Sequence, residues 1–227
     1  MWKAWPHEPI QKLAENLWRV EADMGSPPMK RAMDVVRRPN GDLWIHNAVC
    51  LGDAAMKEVE AWGTPAVMLV PNGYHRMDAA RYKERYPALK VYAPKGSAAK
   101  VAQQVAVDGS FDDLPSEADV AIERLDGVKD KEAAVRVTSA DGVSLLLCDS
   151  VFNMKHRPGM QGFILKLLGS SGGPKVTNIF RLAVLKDRAA FKASLLRLAA
   201  MPGLRRVLPQ HEDVMGPAEL LAVAQAL

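Results

Sequence analysis

Residues 67–82 read VMLVPNGYHRMDAARY. They open inside an apolar run, 66–70, that stops at Pro71-Asn72-Gly73. A polar cluster follows, Tyr74, His75, Arg76 and Asp78, and then a helical pattern runs to Tyr86-Pro87. The pattern is that of a buried strand (66–70), a tight loop (71–75) and a helix (76–86). In α/β folds, ligands sit outside the carboxyl ends of strands, on loops held by a rigid scaffold. The polar residues of this loop are therefore the first candidates for a site, and the fold class is α/β.

Upstream, residues 17–22 largely alternate apolar with polar, 32–37 carry Val35-Val36, and Pro39-Asn40-Gly41-Asp42 is a hairpin signal leading to a returning strand at 43–46. The chain thus begins as a β-meander. Asp53 starts a helix on which Ala54, Ala55, Val59 and Trp62 recur at roughly helical spacing, and Gly63 closes it. Downstream, LKVYA (89–93) is a short strand halted by Pro94, and 96–107 is a further helix. The middle third reads α-β-α-β-α, in which adjacent strands are parallel.

The pattern then returns to strands, 120–125, 133–138 and 143–148, with Ala140-Asp141-Gly142 as the turn between the last two. VSLLLC (143–148) is almost continuously apolar, as a strand buried on both faces is, and it ends at Asp149-Ser150. Residues 160–168 read as a helix and 170–174 as a flexible break. Residues 186–201 form the clearest amphipathic helix, with Phe191, Leu195, Leu198 and Ala199 on one stripe. A strand at 204–208, a loop at 209–213 and a helix at 217–227 close the chain. Residues 1–12, with Trp2 and Trp5, read as an extended arm packed on the body, and Gly25-Ser26-Pro27-Pro28 as a loop. The expectation is a single domain, 1–227, without repeats.

Composition narrows the partners. With 227 residues, 48% hydrophobic and 25% charged, the chain can bury a sizeable core. Its 30 basic and 26 acidic residues leave a net charge of only +4, and Lys30-Arg31, Arg37-Arg38 and Arg205-Arg206 are its densest basic runs, so nucleic acid is not an expected partner. Cys50 and Cys148 sit in apolar contexts and read as a reduced, buried pair; no zinc spacing of Cys and His occurs. No apolar run is long enough to span a bilayer and the N-terminus lacks a signal core, so no membrane partner and a cytoplasmic location are expected. The expected partner is a small-molecule ligand, and a homo-oligomer stays open.

Polar residues gather at three strand ends: Asn72 to Asp78 after 66–70, Asp149 after 143–148, and His211 after 204–208. A metal or substrate site needs ligands from different strands aimed at one rim. On these residues the chain resembles the metallo-β-lactamase fold superfamily. LLLCDSVFN (145–153) looks like the family's strand carrying the metal-bridging aspartate, and RVLPQHEDV (206–214) like its late P-x-H loop. Asn72-Gly73-Tyr74-His75, with the join from Tyr86-Pro87 to Val91-Tyr92, is similar to a subset whose first motif is degraded to N-x-x-H. The resemblance implies a four-layer αββα sandwich, two mixed sheets flanked by helices.

The departures bear on chemistry. Set on the family's H-x-H-x-D-H motif, Asn72 stands at the first histidine, Tyr74 at the second, Arg76 at the aspartate and Met77 at the last histidine. Residues 123–131, where the family has a further histidine, hold none. What remains is Asp149, His211 and His75, the last one position out of frame. Catalytic zinc takes about three protein ligands plus an open position, so the resemblance implies at most one weakly bound zinc, iron or manganese ion on Asp149, His211 and His75.

The activity to expect is hydrolysis of a small ester, amide or phosphoester. Asp149 would serve as ligand or general base, Asn72 or Tyr74 would be an oxyanion donor, and Arg76, Asp78 and His156 would border the pocket. Two alternatives stand beside it. In one, the Arg76 guanidinium meets Asp149 where a metal would sit, leaving a metal-free, non-catalytic small-molecule-binding protein; the sequence favours no metal over one. In the other, the tryptophan-containing arm makes the chain a protein–protein module. Asp78 also fits a helix-capping role, His46 a structural strand histidine, and Tyr82 a packing role. No G-x-S-x-G elbow, G-x-G-x-x-G or Walker motif occurs.

Overall fold

A computed structural model describes residues 1–25 and 29–227. The expected loop 25–28 therefore falls, apart from Gly25, outside the described residues. In chain order the elements are β1 (Gln11–Ala14), β2 (Leu17–Asp23), β3 (Lys30–Arg37), β4 (Asp42–His46), α1 (Asp53–Trp62), β5 (Thr64–Leu69), α2 (Ala79–Arg85), β6 (Lys90–Ala93), α3 (Lys95–Val101) and β7 (Gly109–Ser110). There follow β8 (Val120–Arg124), β9 (Ala133–Ser139), β10 (Gly142–Leu147), β11 (Phe152–Met154), α4 (Gly159–Leu167), β12 (Gly173–Lys175), α5 (Asn178–Ala183), α6 (Arg188–Ala199), β13 (Leu204–Pro209) and α7 (Pro217–Gln225).

The first sheet runs β1 to β7 in sequence order, and the second runs β13-β10-β9-β8. The meander is antiparallel through β4, its β3–β4 turn closed by Gly41 at φ +89°. The α-β-α-β-α reading then gives parallel β4–β5 and β5–β6 pairs, and β10 pairs parallel with β13.

Side-chain alternation on the strands builds four layers. Val35, Ile45 and Met68 point to the outer face of the first sheet, where they meet Met56, Val59 and Tyr82 of α1 and α2. Their neighbours Val36, Trp44 and Leu69 point inward against Val135, Leu146 and Leu208 of the second sheet. Leu145, Leu147 and Val207 face outward again, onto Phe191, Leu195 and Leu198 of α6 and Leu220 of α7. A strand apolar on both faces is what a position between two packed layers requires. Cys50 and Cys148 are free and buried.

Several local expectations shift. Strand β1 pairs with β2, and the arm before it is pinned: Trp2 Nε1 donates to the Leu51 carbonyl at 2.9 Å and Trp5 Nε1 to Asp78 Oδ2 at 2.9 Å. Helix α2 begins three residues later than the apolar spacing suggests, because residues 76–78 form the turn that buries Asp78. The break at 170–174 is partly a strand, since β12 pairs antiparallel with β11.

Candidate functional site

The three strand ends converge. Asp149 Oδ1 lies 3.1 Å from His75 Nε2 and 3.3 Å from His211 Nε2, and the two Nε2 atoms are 3.3 Å apart. The loop after β5 supplies His75, the end of β10 supplies Asp149, and the end of β13 supplies His211. Asn72 locks the first loop to the second. Its Nδ2 donates to Asp149 Oδ2 at 2.8 Å, and its Oδ1 accepts the backbone N–H groups of Tyr74 (2.8 Å) and His75 (3.1 Å).

The far nitrogens of both rings are committed. His211 Nδ1 donates to the Lys30 carbonyl at 2.9 Å. His75 Nδ1 lies 3.1 Å from Asn47 Oδ1, and the Asn47 amide nitrogen already donates to the Ala32 carbonyl and to Gln210 Oε1, so Oδ1 accepts from the ring. In the neutral rings both Nε2 atoms then carry lone pairs, and both face Asp149. Burial lowers the pKa of His75 below the ordinary histidine value, although Asp149 pulls it upward. Burial also acts to raise Asp149, but His75 and His211 outweigh it and hold the carboxyl well below the usual range. With both rings neutral and the carboxylate ionised, three lone-pair donors share one small space, which is the electronic state a metal needs.

The geometry fits an ion as well. Donors around a tetrahedral ion with ~2.0 Å bonds lie ~3.3 Å apart, close to the three edges observed. Metal-bound histidines characteristically donate the second ring N–H to a carbonyl or carboxylate, which fixes ring and tautomer; here a backbone carbonyl and an amide oxygen take that part. A second acidic cluster, Glu132, Cys148 and Asp149, offers no comparable opening. Glu132 is spent on the loop itself, its oxygens accepting the N–H groups of Cys148 (3.1 Å), Asp149 (3.0 Å) and Ser150 (2.9 Å). Burial and the Asp149 charge push Glu132 up to about 7.

These donors lie in the wall of a cleft of about 720 Å³, which Phe152, Leu165, Ile164, Ile179 and Phe180 make largely apolar and to which Lys100 and Lys131 bring positive charge. Of the residues expected there, Asn72, Tyr74, His75, Asp149 and His211 line it. Three others do not. Arg76 turns away from Asp149 and donates to the Lys100 carbonyl and to Gln103 Oε1 (3.1 Å), so its guanidinium does not fill the space between the donors. Asp78 is 1% exposed and bound by Arg31, Arg81 (2.6 Å), Trp5 (2.9 Å) and the Cys50 N–H (3.1 Å); it holds the arm, and its side chain makes no cap hydrogen bond to α2. His156 pairs with Ser171 Oγ at 2.9 Å. The expected oxyanion donors change too: the Asn72 amide is spent on Asp149, and Tyr74 is 64% exposed with Lys100 Nζ 3.3 Å from its ring centroid.

Glu132, Asn47 and Gln210 were not singled out by sequence. Gln210 donates to Asp34 Oδ2 (2.6 Å) and His46 Nδ1 (3.0 Å) while accepting from Asn47, so a buried polar chain links Arg19 and Asp34 to His75. The available signal was position alone: Asn47 directly follows β4, and Gln210 directly precedes His211.

Searches against known proteins add the fold. No protein-family model matches the sequence, and no curated protein matches it. Among solved structures it is similar to a metallo-β-lactamase from Pontibacter korlensis (TM-score 0.64, 12% identity, covering 96% of this chain and 99% of that one). It is similar also to the DIM-1 metallo-β-lactamase exposed to ceftazidime (TM-score 0.64, 12% identity, 99% of each chain). A third is the metallo-β-lactamase FIM-1 from Pseudomonas aeruginosa in its mono-zinc form (TM-score 0.63, 11% identity, covering 99% and 97%). The chain has the metallo-β-lactamase fold, a sandwich of mixed sheets flanked by helices, as its motifs implied.

Proposed function

We propose that this protein is a hydrolase of a small ester, amide or phosphoester that works with one bound zinc, iron or manganese ion on His75, Asp149 and His211. The observation that carries this reading is the triangle of Nε2, Nε2 and Oδ1 atoms with edges of 3.1–3.3 Å, each without a proton in the neutral-ring, ionised-carboxylate state. Such an ion supplies Lewis acidity and a source of hydroxide at neutral pH. The chain's own residues do the rest. Asn47 and the Lys30 carbonyl orient the two rings, Asn72 fixes the carboxylate, and Glu132 holds the Asp149 loop. The apolar walls limit water at the floor, and Lys100 and Lys131 place positive charge beside a carboxyl or phosphoryl group.

A fold neighbour, FIM-1, was solved in a mono-zinc form, which supports a single ion on this architecture. An Arg76–Asp149 contact would favour the metal-free reading, and Arg76 instead donates to the Lys100 carbonyl and to Gln103. The test is elemental analysis of protein purified without chelator or histidine tag, beside Asp149→Ala and His211→Ala. About one ion per chain, lost in both variants, is the expected result; metal-free protein that gains none on titration overturns the proposal.

A further inference from the structure

Helix α4 is built the wrong way round for a globular protein. Only Gly162 and Leu165 of its residues are buried. Met160 (75% exposed), Phe163 (58%), Ile164 (49%), Leu167 (67%) and Leu168 (39%), the last just past its end, stand outward. Their spacing, i, i+3, i+4, i+7, i+8, puts them on one stripe, the stripe that a surface helix ordinarily turns toward the core. Helix α5 repeats the pattern in miniature, with Ile179 (52%) and Leu182 (86%) exposed three residues apart. Ile164, Leu168 and Ile179 also line the cleft, so the two exposed stripes stand together at its mouth. Exposed single apolar residues need no explanation, but a contiguous patch of this kind marks an interaction surface.

Charge selects the occupant. Residues 150–186 contain no Asp or Glu and six basic residues, Lys155, Arg157, Lys166, Lys175, Arg181 and Lys186, whereas the whole chain carries only +4. Lys155 and Arg157 pair with Asp213 and Glu212. Lys166, Arg181 and Lys186 are exposed and have no carboxylate partner among the described residues. A second copy meeting this face across a two-fold axis would bring like charges together. A surface that offers hydrocarbon and negative charge at the same depth satisfies both halves of the pattern, and a lipid headgroup layer is such a surface.

We infer that the α4–α5 face docks on an anionic phospholipid surface, with the apolar stripe sunk at the headgroup–acyl boundary and Lys166, Arg181 and Lys186 among the phosphates. Among the described residues no helix is long and apolar enough to cross a membrane, so the association is peripheral. It revises the expectation of no membrane partner, which rested on the absence of a spanning run. The inference does not depend on the metal reading.

The test is co-sedimentation of the full-length protein with phosphatidylglycerol vesicles and with phosphatidylcholine vesicles, at low and high salt. Binding to the anionic vesicles that weakens with salt is expected. Phe163→Ser with Leu167→Ser, and separately Lys166→Glu with Arg181→Glu, should each weaken it by about tenfold or more. All four positions are exposed, so an unchanged unfolding temperature accompanies the loss, and Phe163→Trp reports insertion as a blue shift of its emission. Three results overturn the inference: no binding to anionic vesicles at low salt; binding that both double variants leave intact; or a dimer, dissolved by Phe163→Ser with Leu167→Ser, in a protein that ignores vesicles.

Discussion

His75 and His211 point their Nε2 atoms at one another across 3.3 Å, with Asp149 Oδ1 within 3.3 Å of both. With both rings neutral this arrangement sets lone pair against lone pair, and a cation held by the three donors would relieve that repulsion. An ion that binds only the folded chain stabilises it by mass action, about 2.7 kcal/mol at a free concentration ~100 times the Kd. For a chain of this size that raises the unfolding temperature by roughly 5–10 °C. Thermal unfolding with and without added zinc checks this. His75→Ala and His211→Ala should each abolish the rise, and EDTA should reverse it in the unaltered protein.

Asn72 and Glu132 touch no ion in this arrangement, yet they place Asp149. Asn72→Ala removes the donor to Asp149 Oδ2 and the acceptor that shapes the loop at Tyr74 and His75. Removing partners of this kind weakens metal affinity by about 10–100-fold, and competition against a chromophoric chelator measures it. Glu132→Ala should do the same and also destabilise the fold, because it strands the buried N–H groups of Cys148 and Ser150 at about 1–3 kcal/mol each. Urea unfolding separates the two effects.

Asp34 ties the site to the core. It is fully buried, accepts Arg19 Nη1 at 2.9 Å and Gln210 Nε2 at 2.6 Å, and through Gln210 and Asn47 supports the His75 ring. Burial opposes its charge, but Arg19, His46 and Gln210 outweigh burial and depress its pKa. An acid with a depressed folded pKa contributes stability that is full above its unfolded pKa of about 4 and is lost as pH falls through the folded value. Stability should therefore fall below about pH 4 and less steeply in Asp34→Asn. That variant should also lose about 3 kcal/mol near pH 7, because it leaves the buried Arg19 with only the Pro209 carbonyl and the more distant Glu21 carboxylate at 3.8 Å. Urea unfolding across pH checks both.

The layers were legible because burial is written into the periodicity of neighbouring residues. VSLLLC needs both faces covered wherever it sits, and the structure places Leu146 between the sheets with Leu145 and Leu147 under α6 and α7. The convergence of His75, Asp149 and His211 was legible for a similar reason, since each follows a buried strand by a few residues. Their partners were not. Glu132 lies one residue past the region, 123–131, that was read only for histidine, and it reaches Asp149 through backbone N–H groups, which no side-chain pattern encodes. Strands β11 and β12 are three residues each, too short to show alternation. The direction of Arg76 was invisible for another reason: its partners, the Lys100 carbonyl and Gln103, belong to residues that a linear reading places on a separate helix.

Arg76 therefore separates the two accounts of the site. Had its guanidinium filled the space beside Asp149, Arg76→Ala would open that space and create metal affinity where there was none. With the side chain instead tying the loop to residues 100 and 103, the donors are already free. The substitution should then leave zinc affinity within about twofold and cost only ~1 kcal/mol of stability, from one part-exposed cluster of hydrogen bonds. Parallel zinc titrations of the unaltered protein and Arg76→Ala decide it: equal uptake agrees with the structure, and uptake by the variant alone would restore the arginine to the site.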